Sequence, residues 1–115
     1  MDKIYEQTML FDFYGELLTR HQRSIYEDAV YNDMSLGEIA AERGISRQGV
    51  HDLIRRCDKI LQNYESKLHL VERFAKAKEM VAEIEKLTDS ETDVTDLQER
   101  LHRIKILSRE LLEEL

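Results

Sequence analysis

The sequence predicts an all-α protein with a helix-turn-helix head followed by a long C-terminal helical arm. Its 115 residues include no proline and only four glycines, the last of which is Gly49. Leu, Glu, Arg and Ile are abundant in the chain, a composition typical of helical domains. Apolar residues recur at the three- and four-residue spacing of amphipathic helices. We therefore expect a helix-turn-helix domain over residues 1–62 and amphipathic helices for packing and dimerisation over residues 63–115.

The head begins with two predicted helices. The first covers about residues 4–18, and we expect its aromatic cluster at residues 10–14 to form core or a dimer contact. Thr19 with Gln22 three residues later is typical of a capping box, so a second helix is expected from there to about Tyr31. Ile25 and Ala29 should face inward, and residues 32–34 should form a turn.

A second capping box, Ser35 with Glu38, starts the first helix of the predicted helix-turn-helix, which covers residues 36–43. Gly44 stands where this short helix must end in a left-handed turn, which glycine adopts without steric cost. We expect Ile45 to plug the turn. Ser46 is a suitable N-cap for the next helix.

The second motif helix is predicted over residues 47–62 and is the one that usually enters the DNA major groove. Val50, Ile54 or Leu53, Cys57 and Leu61 follow its buried stripe. Gly49 inside this helix permits a close approach either to a phosphate or to the preceding helix.

The opposite face of this helix holds the candidate nucleic-acid-binding residues. Residues in the first turns approach base edges in this motif, and Arg and Gln can bond bidentately to guanine and adenine. Later cations are better placed for phosphates, and an Asp can accept from cytosine or buttress a neighbouring Arg. The candidates are Ser46, Arg47, Gln48, His51, Asp52, Arg55, Arg56 and Lys59.

The arm is predicted as two amphipathic helices. Residues 63–87 form one, which either stands alone or continues straight from the recognition helix. Residues 88–93 are polar and form a loop, and Thr95 with Gln98 starts the last helix, which runs to about Leu115. A heptad seam follows, at Val94, Leu97, Leu101, Ile104, Ser108, Leu111 and Leu115, with Leu107 and Leu112 widening it. We expect an antiparallel hairpin and a homodimer, since twofold dimers are the commonest assembly.

The charge balance limits the expected mode of binding. The chain holds 17 Lys and Arg against 24 Asp and Glu, a net charge of −7, although nucleic-acid affinity comes largely from cations that displace counterions. Residues 46–61 nevertheless hold four basic residues against two acidic ones. A local basic face on an acidic protein predicts weak non-specific affinity.

Nothing in the sequence indicates an enzyme. The four histidines are scattered, and no metal-ligand spacing, phosphate loop or nucleophile motif occurs, so we expect no catalytic residue, metal or cofactor. Cys57 is the single cysteine and is interpreted as a small core residue. No secretory signal and no long apolar run is visible, so we expect a cytoplasmic protein without membrane insertion.

Two resemblances refine these predictions. Leu18-Thr19-x-x-Gln22-Arg23, with the run from Ser35 to Val50, resembles the region-4 helix-turn-helix of bacterial sigma factors, which reads promoter DNA. That likeness covers about residues 18–61, whereas the acidic charge and the C-terminal arm are foreign to that domain, so a working sigma factor is not expected.

Residues 14–19, 28–40 and 46–52 resemble the YlxM-like family of small bacterial helix-turn-helix proteins, over roughly residues 3–85. The resemblance implies a cytoplasmic regulator in the signal recognition particle pathway. Two functions follow as hypotheses. One is a DNA-binding regulator. The other is an adaptor that does not bind DNA and instead binds the particle directly, through its RNA or its GTPase subunit.

Overall fold

The computed structural model describes residues 2–89 and 97–114, and all regular structure within them is helical. Six α-helices and one 3₁₀ turn, at Gly15–Leu17, make up the described fold. The helices are α1 (Lys3–Tyr14), α2 (Arg20–Val30), α3 (Leu36–Arg43), α4 (Arg47–Leu68), α5 (Leu70–Leu87) and α6 (Leu97–Glu114). The predicted all-α class is confirmed. The first helix is shorter than predicted, since it ends at Tyr14 and continues only as the 3₁₀ turn.

Both capping boxes predicted for the head are present. Thr19 Oγ1 accepts from Gln22 N at 3.2 Å while Gln22 Oε1 accepts from Thr19 N at 3.1 Å. Ser35 and Glu38 make the same reciprocal pair, with both distances at 3.1 Å. Each pair satisfies amide groups that have no partner inside the helix, so α2 and α3 begin where the sequence places them.

The turn between α3 and α4 has the predicted glycine in the left-handed conformation, with φ at 68° for Gly44. Ile45 N donates to Ala40 O at 3.1 Å, which closes α3 in the manner of a Schellman motif. The prediction that Ile45 plugs the turn is wrong, because the residue is 37% exposed and joins neither apolar core cluster of the head.

Two apolar clusters form the core of the head, and α4 contributes to both. Val50 joins one cluster with Ile25 and Ile39. Cys57 and Leu61 join the other, which holds the aromatic residues of α1 and α2. Val50, Cys57 and Leu61 have no exposed surface, which confirms the predicted buried stripe. The aromatic cluster of α1 is core as well, since Phe11 stacks on Tyr26 with ring centroids 5.7 Å apart.

Polar contacts fix α3 against α2. Arg43 donates to Asp28 Oδ2 at 2.7 Å and to Ser24 Oγ at 2.6 Å. Asn32 donates to the other oxygen of the same carboxylate at 2.9 Å. The hydrogen bond from Arg43 is the main cause that lowers the pKa of Asp28, and the bond from Asn32 is the second.

The boundary between head and arm differs from the prediction. The recognition helix continues to Leu68 and then breaks at His69, which is left-handed with φ at 57°. Tyr14 Oη donates to Glu65 Oε1 at 2.5 Å and accepts from Leu70 N at 3.1 Å, while the same carboxylate oxygen accepts from Val71 N at 3.0 Å. These bonds satisfy the first free amide groups of α5, so a new helix starts without glycine or proline.

The chain accordingly divides into one compact unit that ends at Val71 and a second that begins at Glu72. The predicted division at residues 62 and 63 falls inside α4. Tyr64 and Val71 still pack on the core of the head. Both alternatives predicted for this segment are therefore wrong: the recognition helix does not run on to residue 87, and no separate helix starts at residue 63. The bonds from Tyr14 of α1 and Glu65 of α4 end α4 and begin α5.

In the second unit, Arg103 Nε of α6 donates to Glu83 Oε1 of α5 at 3.0 Å. The burial of α6 departs from the predicted seam, since Leu97 and Leu101 are 60% and 57% exposed while Leu107 is buried. Ser108 is exposed as well. The heptad count placed Leu107 beside the seam, whereas the folded helix buries it. The Thr95 cap, Val94, Leu115 and most of the predicted loop lie outside the described residues.

Candidate nucleic-acid interface

The eight predicted binding residues lie on one helix, α4, and its N-cap. Seven of them are exposed, and His51 is partly buried. The buried stripe of α4 occupies the other side of the same helix, so packing of the head leaves this face free. We call this surface, formed by the eight residues, the α4 outer face.

The start of α4 is organised by Ser46. Its hydroxyl accepts from Gly49 N at 2.9 Å, as expected of an N-cap. A Cβ on Gly49 would lie 3.1 Å from Ser46 Oγ and would meet no other group within 4 Å. The alternative that Gly49 permits a close approach of the preceding helix is therefore wrong.

Arg47 reaches back across the first turn of α3. A Cβ placed on Gly37 would lie 3.0 Å from Arg47 Nη2 and 3.1 Å from Nε. The guanidinium thus lies over the one residue of that turn without a side chain. This contact could not be read from the sequence, because the two residues belong to different helices.

Gln48 and Asp52 form a pair one helical turn apart. Gln48 Nε2 donates to Asp52 Oδ1 at 2.9 Å. His51 Nδ1 is 3.7 Å from the same oxygen, which is too long for a hydrogen bond. Of the roles predicted for Asp52, buttressing an arginine is wrong, since its hydrogen-bond partner is Gln48.

Arg55, Arg56 and Lys59 line a shallow groove with Asp52, with a volume of about 340 Å³. Within the described part of the chain, these three cations and Arg47 form no ion pair with a carboxylate. Other cations are engaged, as in the pairs of Arg43 with Asp28 and Arg103 with Glu83. The α4 outer face therefore presents positive charge that the fold itself does not neutralise.

Asp58 has a role that sequence reasoning missed. Its carboxylate accepts from the buried Tyr26 hydroxyl at 2.6 Å and from Gln7 Nε2 at 3.0 Å and 3.2 Å. The negative charge of Asp58 is thus directed towards α1 and α2 and not towards the outer face. The α4 outer face itself carries four cations and one carboxylate, that of Asp52. In the sequence, the position of Asp58 next to Cys57 of the buried stripe indicates that Asp58 lies near the core. No sequence pattern identifies Tyr26 as its hydrogen-bond partner.

The structure offers no candidate metal centre among residues 2–89 and 97–114, where no group of three or more His, Cys, Asp or Glu residues could hold an ion. Over the same ranges, no helix is long and apolar enough to cross a membrane. Burial raises the pKa of the Cys57 thiol to about 11, which does not suit a nucleophile.

The capped turn, the buried stripe and the outer face together define a helix-turn-helix protein. The chain belongs to the UPF0122 family of YlxM- and p13-like helix-turn-helix proteins, whose profile matches residues 1–103. The match continues past residue 85, so the likeness to this family is longer than the sequence motifs indicated and includes the start of α6.

Bacterial relatives show the same membership. A UPF0122 protein of Shouchella clausii is 41% identical over 107 residues, which cover 93% of this chain and 98% of that protein. One from Acetivibrio thermocellus is 50% identical over 84 residues, covering 73% and 72% of the two chains. One from Bacillus thuringiensis is 41% identical over 96 residues, covering 84% and 87%.

Proposed function

We propose that this chain is a non-enzymatic DNA-binding regulatory protein that places the α4 outer face in the major groove. The observation that carries the proposal is the set of cations on that face that no carboxylate of the described chain neutralises. A helix with a buried stripe on one side and exposed cations on the other suits a groove lined by phosphates. The resemblance to the YlxM-like family supports a cytoplasmic role in the signal recognition particle pathway.

In this proposal the residues of the face divide by function. Arg55, Arg56 and Lys59 bind phosphates, which position the helix on the duplex. Arg47, Gln48 and His51 contact base edges, since they occupy the first turns of the helix.

The proposed active form is a homodimer that pairs through the arm. Support comes from the exposed apolar side chains of the second unit, which include Phe74, Val81, Leu97 and Leu101. On duplex DNA, the two recognition helices of such a dimer should lie about 34–36 Å apart, or a multiple of that distance.

The mass of the purified chain in solution tests the dimer. Leu101→Glu should convert a dimer to monomers, while His102→Glu, which adds the same charge at the next exposed position, should not. A wild-type chain that is monomeric at micromolar concentration would contradict the dimer.

The alternative function is an adaptor that binds the signal recognition particle through its RNA or its GTPase subunit and does not bind DNA. The net charge of −7 favours it, because an acidic protein suits a basic protein partner. The basic outer face would then contact the RNA of the particle.

Binding measurements with labelled nucleic acid separate the two functions. Fluorescence anisotropy would follow binding of the purified chain to random-sequence duplex DNA and to signal recognition particle RNA, at several salt concentrations. Three phosphate contacts in each protomer of a dimer imply a slope of log K against log salt of roughly −5. Binding of RNA alone, or binding only after the GTPase subunit is added, would contradict DNA binding and favour the adaptor.

A matched pair of variants gives the control. Arg55→Ala/Lys59→Ala removes one arginine and one lysine, four residues apart, from the outer face, and should reduce the slope to roughly −2. Lys105→Ala/Arg109→Ala makes the same change on exposed positions of α6 and should leave the slope unchanged. Equal effects of the two variants would show that only the overall charge matters.

A further inference from the structure

The side-chain pair of Gln48 and Asp52 determines which way round the glutamine amide is held. An amide group has two N–H donors on nitrogen and one acceptor oxygen, while an ionised carboxylate only accepts. The 2.9 Å bond to Asp52 Oδ1 therefore requires the nitrogen, and not the oxygen, to face Asp52. His51 Nδ1, at 3.7 Å from the same carboxylate oxygen, is too far away to compete for it.

One N–H of Gln48 is used in this bond, which leaves one N–H donor and the carbonyl acceptor. Gln48 is exposed and lies in the first turn of α4, so these two groups are available to a base edge. Adenine is the base whose major-groove edge presents one acceptor, N7, beside one donor, N6–H. Guanine presents two acceptors and would place its O6 against the glutamine oxygen. Cytosine presents only a donor, and thymine offers only an acceptor, so neither can make both bonds.

We infer that Asp52 is a positioning residue that orients the Gln48 amide, so that the protein reads an adenine at one position of its DNA site. The inference rests on the proposed DNA binding and deepens it, since it specifies the base read by that face. The carboxylate of Asp52 adds to the selection because its charge repels bases that offer only acceptors to the same region of the groove.

Selection of binding sites from a random duplex library, followed by affinity measurements on the selected site and on single-base variants, tests this inference. The wild-type chain should prefer adenine at one position by about tenfold or more, as a bidentate contact implies. Gln48→Ala should abolish the preference at that position and leave the preferences at other positions unchanged.

Asp52→Asn separates positioning from simple electrostatics. The variant removes a negative charge from a surface that faces phosphates, so its affinity for random DNA should rise. An asparagine can also donate to the glutamine oxygen, which allows the amide to turn round, so the adenine preference should fall at least several-fold. Glu42→Gln, which removes one exposed charge from α3, is the matched control and should leave the preference unchanged.

Each outcome decides the matter. An adenine preference that disappears in Gln48→Ala and weakens in Asp52→Asn, while random-DNA affinity rises, supports the inference. Duplex binding with a base preference that neither variant changes would overturn the inference and leave the proposed function intact. No duplex binding by the wild-type chain at low salt would overturn both.

Discussion

Replacing Tyr26 by Phe tests whether the buried bond to Asp58 stabilises the head. Tyr26 has no exposed surface, and its hydroxyl donates to Asp58 Oδ1 at 2.6 Å. Phe keeps the ring and its stacking on Phe11, so only the hydroxyl group is lost. Burial, with the bond to Asp58 as the next cause, raises the pKa of Tyr26, so the hydroxyl remains a neutral donor at physiological pH.

The expected loss follows from the chemistry of the bond. A hydrogen bond to a charged group contributes about 1.5–3 kcal/mol to the free energy of unfolding. In the variant, Asp58 keeps its hydrogen bond from the Gln7 amide and is partly exposed to water. We therefore expect the free energy of unfolding to fall by about 2 kcal/mol, below the middle of that range. For a unit of this size, the midpoint of thermal unfolding should fall by roughly 8–16 °C.

Urea unfolding and thermal unfolding, followed by circular dichroism, measure this loss. The urea midpoint should fall with little change in the slope m, because the same surface is exposed on unfolding. Tyr5→Phe removes the same hydroxyl from a residue that is 50% exposed, and should change the unfolding free energy by less than about 0.5 kcal/mol. If both variants lose the same small amount of unfolding free energy, the bond from Tyr26 to Asp58 makes no net contribution to stability, contrary to this prediction.

Three further predictions concern other parts of the head. Gly37→Ala should stabilise α3 by about 0.4–1 kcal/mol. The added Cβ requires the Arg47 guanidinium to shift by a few tenths of an ångström, so duplex binding should weaken, and unchanged affinity would show that the position of Arg47 is irrelevant. Asp28→Asn should destabilise the protein at pH 7. Since Arg43 lowers the pKa of Asp28 in the fold, that stabilisation is present above about pH 4 and is lost as the pH falls further, so unfolding curves of wild type and variant should converge in acid. Cys57 should react with a thiol reagent at pH 8 only after urea unfolds the chain, because burial raises its pKa to about 11, and rapid reaction of the native protein would contradict its buried position.

Local signals in the sequence were sufficient for most of the head. The reciprocal caps at Thr19 and Ser35 and the left-handed Gly44 depend on residues within a few positions of one another. The buried stripe of α4 depends only on the helical period, so Val50 and Cys57 were assigned correctly. The candidate surface follows from the same period, because residues opposite a buried stripe are exposed.

Contacts between distant residues escaped prediction. The helix break at His69 depends on Tyr14, whose hydroxyl bonds to the amide of Leu70, 56 residues away. Nothing near His69 in the sequence breaks a helix, so the continuous helix was a reasonable but wrong expectation. The burial of Leu107 in place of the seam residue Ser108 likewise depends on the packing of α6, which a regular heptad count does not determine.

The sequence by itself determined that this chain is helical, where the two helices of the helix-turn-helix begin, and which face of α4 is exposed. Helical period and capping act over three or four residues, and the chain order records them directly. Only the tertiary structure decided where α4 ends, that Asp58 faces Tyr26, and that Arg47 lies over Gly37. Those features depend on side chains that folding brings together from separate helices, and the linear order does not specify such pairs.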